Sequence, residues 1–140
     1  MLKNFKPILI IAGDPKSIFL EIYFKSLKKN KFKSPLILIV NENILLKQMR
    51  VLNYNFRINR LNINNLNYKN LTNKTINIIN IPFNSKFTSK YIYKSFETAL
   101  LLIKKNDNIN LINGPINKKK ILKQRFLGIT EYLDFKTKSK

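Results

Sequence analysis

The sequence predicts a three-layer α/β domain with a mostly parallel sheet, and three observations carry that reading. Short apolar runs recur at 7–12, 36–40 and 76–81, largely without polar alternation, as strands covered on both faces require. Between them lie segments with helical spacing. Turn residues separate the two kinds of segment, so strand and helix alternate along the chain in the manner of βαβ units.

The elements follow in order. The run from Pro7 to Ala12 ends in Gly13-Asp14-Pro15, a turn signal. Residues 17–30 are spaced as a helix, with Ile18, Ile22 and Leu27 expected to face the core and Lys25, Lys28 and Lys29 to face outward. Pro35 opens a second buried strand at 36–40. Asn41 suits the cap of a helix over 43–52, in which Leu45, Leu46, Met49 and Leu52 are apolar. Residues 54–58 alternate weakly and predict a strand, and the Asn- and Leu-rich residues 59–73 predict irregular structure. A strand is expected at 76–81 and a loop at 82–88. The best helix covers 89–105, with Ile92, Phe96, Ala99, Leu100 and Ile103 on one stripe. Residues 109–112 predict a short buried strand, broken by Asn113-Gly114-Pro115, and 118–124 predict a helix. The polar, basic residues 135–140 are expected to fray. No internal repeat or linker divides the chain, so residues 1–140 are expected to form one domain with its own core.

Composition removes several kinds of chemistry. The chain has no cysteine, so it forms no disulfide and no thiolate metal site. It has no histidine either, the commonest metal ligand and the usual acid/base group near neutral pH. The net charge is +20, from 23 Lys and 4 Arg spread along the sequence. The chain also holds 21 Asn and 21 Ile; Lys, Asn and Ile share A/T-rich codons, so one mutational bias accounts for all three excesses. Proteins that read nucleic acid favour clustered cations and Arg, so no specific nucleic-acid partner is expected. The apolar run after Lys3 and Lys6 is too short for a signal peptide, and nothing approaches the length of a membrane span. The expected localisation is cytoplasmic.

Ligands in open α/β sheets bind at the carboxyl ends of strands. Two loops occupy such positions: Gly13-Asp14-Pro15 after the first strand, and Gly114-Pro115-Ile116-Asn117-Lys118 after the last. Each is expected to lead into a helix, whose unpaired N–H groups suit a phosphate or carboxylate. Lys118 adds a full positive charge. Each loop is also readable as a plain turn. With three glycines in the chain (Gly13, Gly114 and Gly128), neither a Gly-x-Gly-x-x-Gly fingerprint nor a phosphate-binding loop is present. A third segment, Gly128-Ile129-Thr130-Glu131-Tyr132-Leu133, sets two polar residues between apolar ones.

Taken together, these three segments resemble a known family. Ile11-Ala12-Gly13-Asp14-Pro15, with Ile18 and Glu21-Ile22, is similar to the Gly-Asp-Pro-x-Gly-Ile-Gly-Pro-Glu opening of 4-hydroxythreonine-4-phosphate dehydrogenases. Gly114-Pro115-Ile116-Asn117-Lys118 is similar to the family's Gly-Pro-Ile-x-Lys loop, and Gly128 to Leu133 to its Gly-His-Thr-Glu-Phe/Tyr-Leu segment, in the same order and spacing. The resemblance implies a part of the two-domain fold of isocitrate and isopropylmalate dehydrogenases. It also implies NAD-dependent oxidation, with decarboxylation, of 4-phosphohydroxy-L-threonine in pyridoxal 5'-phosphate biosynthesis. A divalent metal would act as Lewis acid, and the enzyme would be a homodimer. The substrate-side residues it implies are Asp14, Gly114, Asn117, Lys118 and Thr130, with Glu21 a weaker candidate.

The departures are specific. Ile129 stands where the family has His, Ser17 and Phe19 where it has Gly, and Leu20 where it has Pro. The family's metal-binding histidines and most of its NAD contacts lie beyond the region of resemblance, so metal ligands are expected to be absent and no catalytic residue is assigned. The leading expectation is an incomplete N-terminal portion of such a dehydrogenase, inactive alone. Three alternatives stand beside it: a non-catalytic remnant, a basic nucleic-acid-binding module, and a relative acting on another phosphorylated hydroxy acid.

Overall fold

The computed structural model describes residues 5–117 and 129–138. Its elements are β1 (Ile8–Ile11), α1 (Phe19–Lys29), β2 (Leu36–Val40), α2 (Glu42–Val51), β3 (Ile58–Arg60), β4 (Ile76–Asn80), α3 (Thr88–Lys105), β5 (Asn110–Asn113) and α4 (Ile129–Lys138). The five strands form one sheet in the order β3-β4-β2-β1-β5, and every pairing is parallel. Ile10 is level with Leu38 on one side and Ile112 on the other.

The unbroken apolar strands are explained by the two layers that cover them. Successive side chains on a strand point to opposite faces. Leu9, Ile11, Ile37, Ile39 and Ile79 therefore meet Ile92, Phe96, Ala99 and Leu102 of α3. Ile10, Leu36, Leu38, Val40, Ile76 and Ile78 meet Leu20, Tyr23 and Phe24 of α1 and Leu45 and Met49 of α2. Each such buried side chain stabilises the fold by about 1.5–3 kcal/mol relative to exposure. The three-layer architecture expected from the sequence is the one observed.

Two asparagines hold the layers in register. Asn41, at the end of β2, accepts from Ile44 N (3.1 Å) as the N-cap of α2 and donates from Nδ2 to Ile81 O (2.9 Å). Its own N–H donates to the Tyr91 hydroxyl on α3 (3.1 Å). Asn77, 1% exposed within β4, donates to Leu36 O (3.0 Å) and Thr72 O (2.9 Å), and its Oδ1 accepts from Asn59 Nδ2 (2.9 Å). Both are buried polar groups with their hydrogen bonds made.

Several local expectations are corrected. Ile18 and Ile22 are 67% and 52% exposed; α1 turns Leu20, Tyr23 and Phe24 inward instead. The larger aromatic surface decides the rotation, because Phe24 packs against Tyr54 and Phe56 at 5.3 and 5.8 Å between ring centroids. The alternation at 54–58 is therefore packing rather than strand pairing, and β3 begins only at Ile58. Residues 59–73 hold the end of β3 and two 3-10 turns, capped by the side chains of Asn62 and Asn67. The strand expected to be buried at 109–112 is β5, an edge strand: Ile109 is buried, but Ile112 is 51% exposed because nothing among the described residues pairs with its outer side. Residues 135–138 are helical in α4 rather than frayed, with Lys138 paired to Asp134 one turn earlier (3.0 Å). The helix expected at 118–124 lies outside the described residues.

Candidate functional site

The strand order reverses between β1 and β5. The chain leaves β1 through α1 toward β2, on one face, and returns through α3 on the opposite face to set β5 on the far side of β1. Connections that part in this way open a crevice at the carboxyl ends of the two strands, the usual ligand position in an open α/β sheet.

Both loops singled out from the sequence meet at that crevice. Gly114 N donates to Ile11 O at 2.6 Å, and Asp14 N donates to Pro115 O at 2.7 Å. Gly13 has φ +82°, in the left-handed region that favours glycine. A Cβ built on it would lie 2.4 Å from Pro115 O, and one built on Gly114 would lie 2.4 Å from Ala12 O. The two backbones thus approach closer than any side chain permits. This is a stronger requirement than a turn, and it ties two glycines 101 positions apart (114 − 13) to one structure.

The side chains divide in use. Asp14 Oδ1 accepts from Lys16 N (2.9 Å), and Ser17 N donates to Asp14 O (3.0 Å), so Asp14 shapes the turn into α1. Asn113 Nδ2 donates to Gly114 O (3.1 Å) and braces the second loop. Pro115 and Asn117 are exposed, while Ile116, like Leu111 and Leu133, packs against the core under α3. Leu133 lies on α4, so the helix carrying Thr130 in its first turn docks on the same core as the Gly114 loop. The structure therefore brings the Asp14 and Gly114 loops together; Asn117 follows three residues after Gly114, and Thr130 stands in the first turn of α4. Lys118 and Gly128 lie outside the described residues. Glu21 stands on α1 and pairs with Lys25 (2.9 Å), the surface role of a helix ion pair.

The fold is that of the 4-hydroxythreonine-4-phosphate dehydrogenases. A dehydrogenase of this name from Klebsiella pneumoniae superposes with a TM-score of 0.77 at 18% identity, over 96% of this chain and 45% of that one. The Burkholderia phymatum dehydrogenase gives 0.72 at 20% identity, over 94% and 43%. The chain thus spans less than half the length of these dehydrogenases. No family model and no curated protein matches the sequence. The fold that the resemblance implied for this part of the chain is thus the one observed.

The described residues do not fit a metal centre. The chain has no histidine, and among the described residues no three acidic side chains converge. Among the described residues no helix is long and apolar enough to cross a membrane.

A second concavity was not foreseen from the sequence. At the carboxyl ends of β3 and β4, a cleft of about 470 Å³ is lined by Arg60, Asn62, Asn80, Ile81, Lys94 and Thr98, among others. Arg60 pairs with Glu42 through two contacts, 2.6 and 3.1 Å, and Asn80 Oδ1 accepts from Glu42 N (2.8 Å). The Glu42 carboxylate raises the Arg60 guanidinium above its usual range. Arg60 fell in the segment read as irregular, and its approach to Glu42 depends on a β3 register that local sequence does not reveal.

Proposed function

We propose that this chain provides the substrate-side loops of a 4-hydroxythreonine-4-phosphate dehydrogenase, acting in NAD-dependent oxidation of 4-phosphohydroxy-L-threonine on the route to pyridoxal 5'-phosphate. One observation carries the reading: the Gly13-Asp14 and Gly114-Pro115 loops interlock at the switch point of a sheet that has this enzyme fold. Asp14 and Gly114, in the two loops that meet there, are among the substrate-side residues that the family resemblance implies.

In this reading the roles are simple. The Gly114 loop and the first turn of α4 form one wall of an anion site. Lys118 neutralises a phosphate or carboxylate, Asn117 and Thr130 offer hydrogen bonds to it, and Asp14 keeps the opposing turn in shape. Ile129, in place of the family's His, removes one polar contact and lowers affinity. The chain is the N-terminal portion of a two-domain enzyme that acts as a homodimer. The other wall, with the metal ligands and most of the NAD contacts, comes from residues outside these 140. The chain alone binds substrate weakly and does not turn it over.

Calorimetric titration of the chain with 4-phosphohydroxy-L-threonine tests this. Weak saturable binding that is lost in Lys118→Ala and reduced in Thr130→Ala is expected. Binding untouched by either substitution contradicts the assignment, and so does NAD reduction by the chain alone.

A further inference from the structure

Opposite the crevice, the amino ends of the strands carry a concentration of cations, to which the sheet adds two from distant segments. Lys28 and Lys29 end α1, and Lys31 and Lys33 follow in the connection to β2. Lys6 precedes β1 and Lys74 precedes β4. The strands β4, β2 and β1 are adjacent in the sheet, so these six exposed lysines share one edge. One acid, Asp107, lies at this end of the sheet, in the connection to β5. No Asp or Glu occurs from 22 to 41 or from 43 to 96, and Asp14, Glu21 and Glu42 all sit toward the carboxyl edge. Codon bias alone gives scattered lysines. It does not by itself gather six of them at the amino ends of β4, β2 and β1.

Aromatic rings lie among these cations. Phe5 and Phe32 are 40% and 39% exposed. Lys33 Nζ stands 6.0 Å from the centre of the Phe5 ring, and Lys28 Nζ 5.6 Å from that of Tyr54. Asn73 Nδ2 donates to Phe32 O (3.1 Å) and Ser34 O (2.7 Å), which fixes the lysine-bearing connection against the turn that holds Lys74. Half-exposed rings beside ordered ammonium groups suit the flat faces and phosphates of an unpaired strand. A membrane anchor needs rings that project to insert, and these two are more than half covered.

We propose that the amino edge of the sheet, centred on Lys29, Lys31, Phe32 and Lys33, is a sequence-tolerant binding surface for single-stranded nucleic acid, independent of the dehydrogenase crevice. Lysines contact the phosphates, and Phe32 and Phe5 stack on bases.

Fluorescence anisotropy with labelled oligo-dT over a range of salt tests it on the full chain. The variant Lys29→Gln/Lys31→Gln/Lys33→Gln is compared with Lys47→Gln/Lys86→Gln/Lys90→Gln, which removes the same charge elsewhere. The first is expected to bind at least about tenfold more weakly, with a salt slope smaller by roughly 2; the second changes little. Phe32→Ala is expected to weaken oligo-dT binding roughly fivefold while leaving heparin binding unchanged. Circular dichroism confirms that each variant is folded. Equal weakening by the two triple variants, or tighter binding to anionic lipid vesicles than to oligo-dT, overturns the proposal.

Discussion

Gly13 and Gly114 each occupy the one position where a side chain on either would collide with the other's loop. Alanine at Gly13 meets Pro115 O and must also adopt φ +82°. Alanine at Gly114 meets Ala12 O in a buried position. Both obstacles are backbone, which cannot rotate away. Each substitution is expected to cost about 2–4 kcal/mol, read as a lower urea midpoint with an unchanged slope. A loss under about 0.5 kcal/mol, the range of ordinary surface changes, contradicts the interlock.

Asn77 gives a second stability prediction. Its side chain satisfies two main-chain carbonyls and one amide from inside the sheet. Asn77→Ala leaves those groups unpaired and is expected to cost about 2–3 kcal/mol. Asn64→Ala, on an exposed 3-10 turn, serves as the control and is expected to have little effect.

Tyr91 predicts an alkaline limit. Burial pushes its hydroxyl from 10.0 to about 12, partly offset by the Asn41 N–H that favours the phenolate. Burial also raises Tyr23. For a group raised on folding, the unfolded chain ionises first. The stabilisation is therefore complete below about pH 10 and is lost as pH climbs toward 12. About 2–3 kcal/mol is at stake for Tyr91. Tyr91→Phe is expected to flatten that fall in a series of unfolding midpoints against pH, while lowering stability near neutrality because Asn41 N–H loses its acceptor. A wild-type profile level to pH 12 contradicts the reading.

The exposed outer side of β5 predicts self-association. A strand edge that no described residue pairs with, bearing Ile112 at 51% exposed, is a template for pairing with another chain. Sedimentation velocity is expected to show concentration-dependent association that Ile112→Lys suppresses. A monomer at all concentrations goes against it.

Much of this was legible in the chain. Continuous apolar strands imply two covering layers, and the observed core has both. The Gly13 and Gly114 loops were found because glycine is scarce here, so each one marks a backbone need. Rotations and registers were harder. Ile18 and Ile22 satisfy a helical stripe as well as Leu20 and Phe24 do, and only the Tyr54 and Phe56 rings, contributed by a later segment, choose between them. The same holds for Arg60 and Glu42, paired across a register that local pattern does not fix. The edge position of β5 depends on its neighbours and not on its own four residues.

The most direct test of the shared crevice is a two-dimensional amide NMR titration with 4-phosphohydroxy-L-threonine. The account predicts saturable shifts at Asp14, Gly114, Asn117 and Thr130 together, with one common affinity, and none at Lys31 or Lys74. Shifts confined to the lysine-rich edge, or a different affinity at each of the two loops, contradict it.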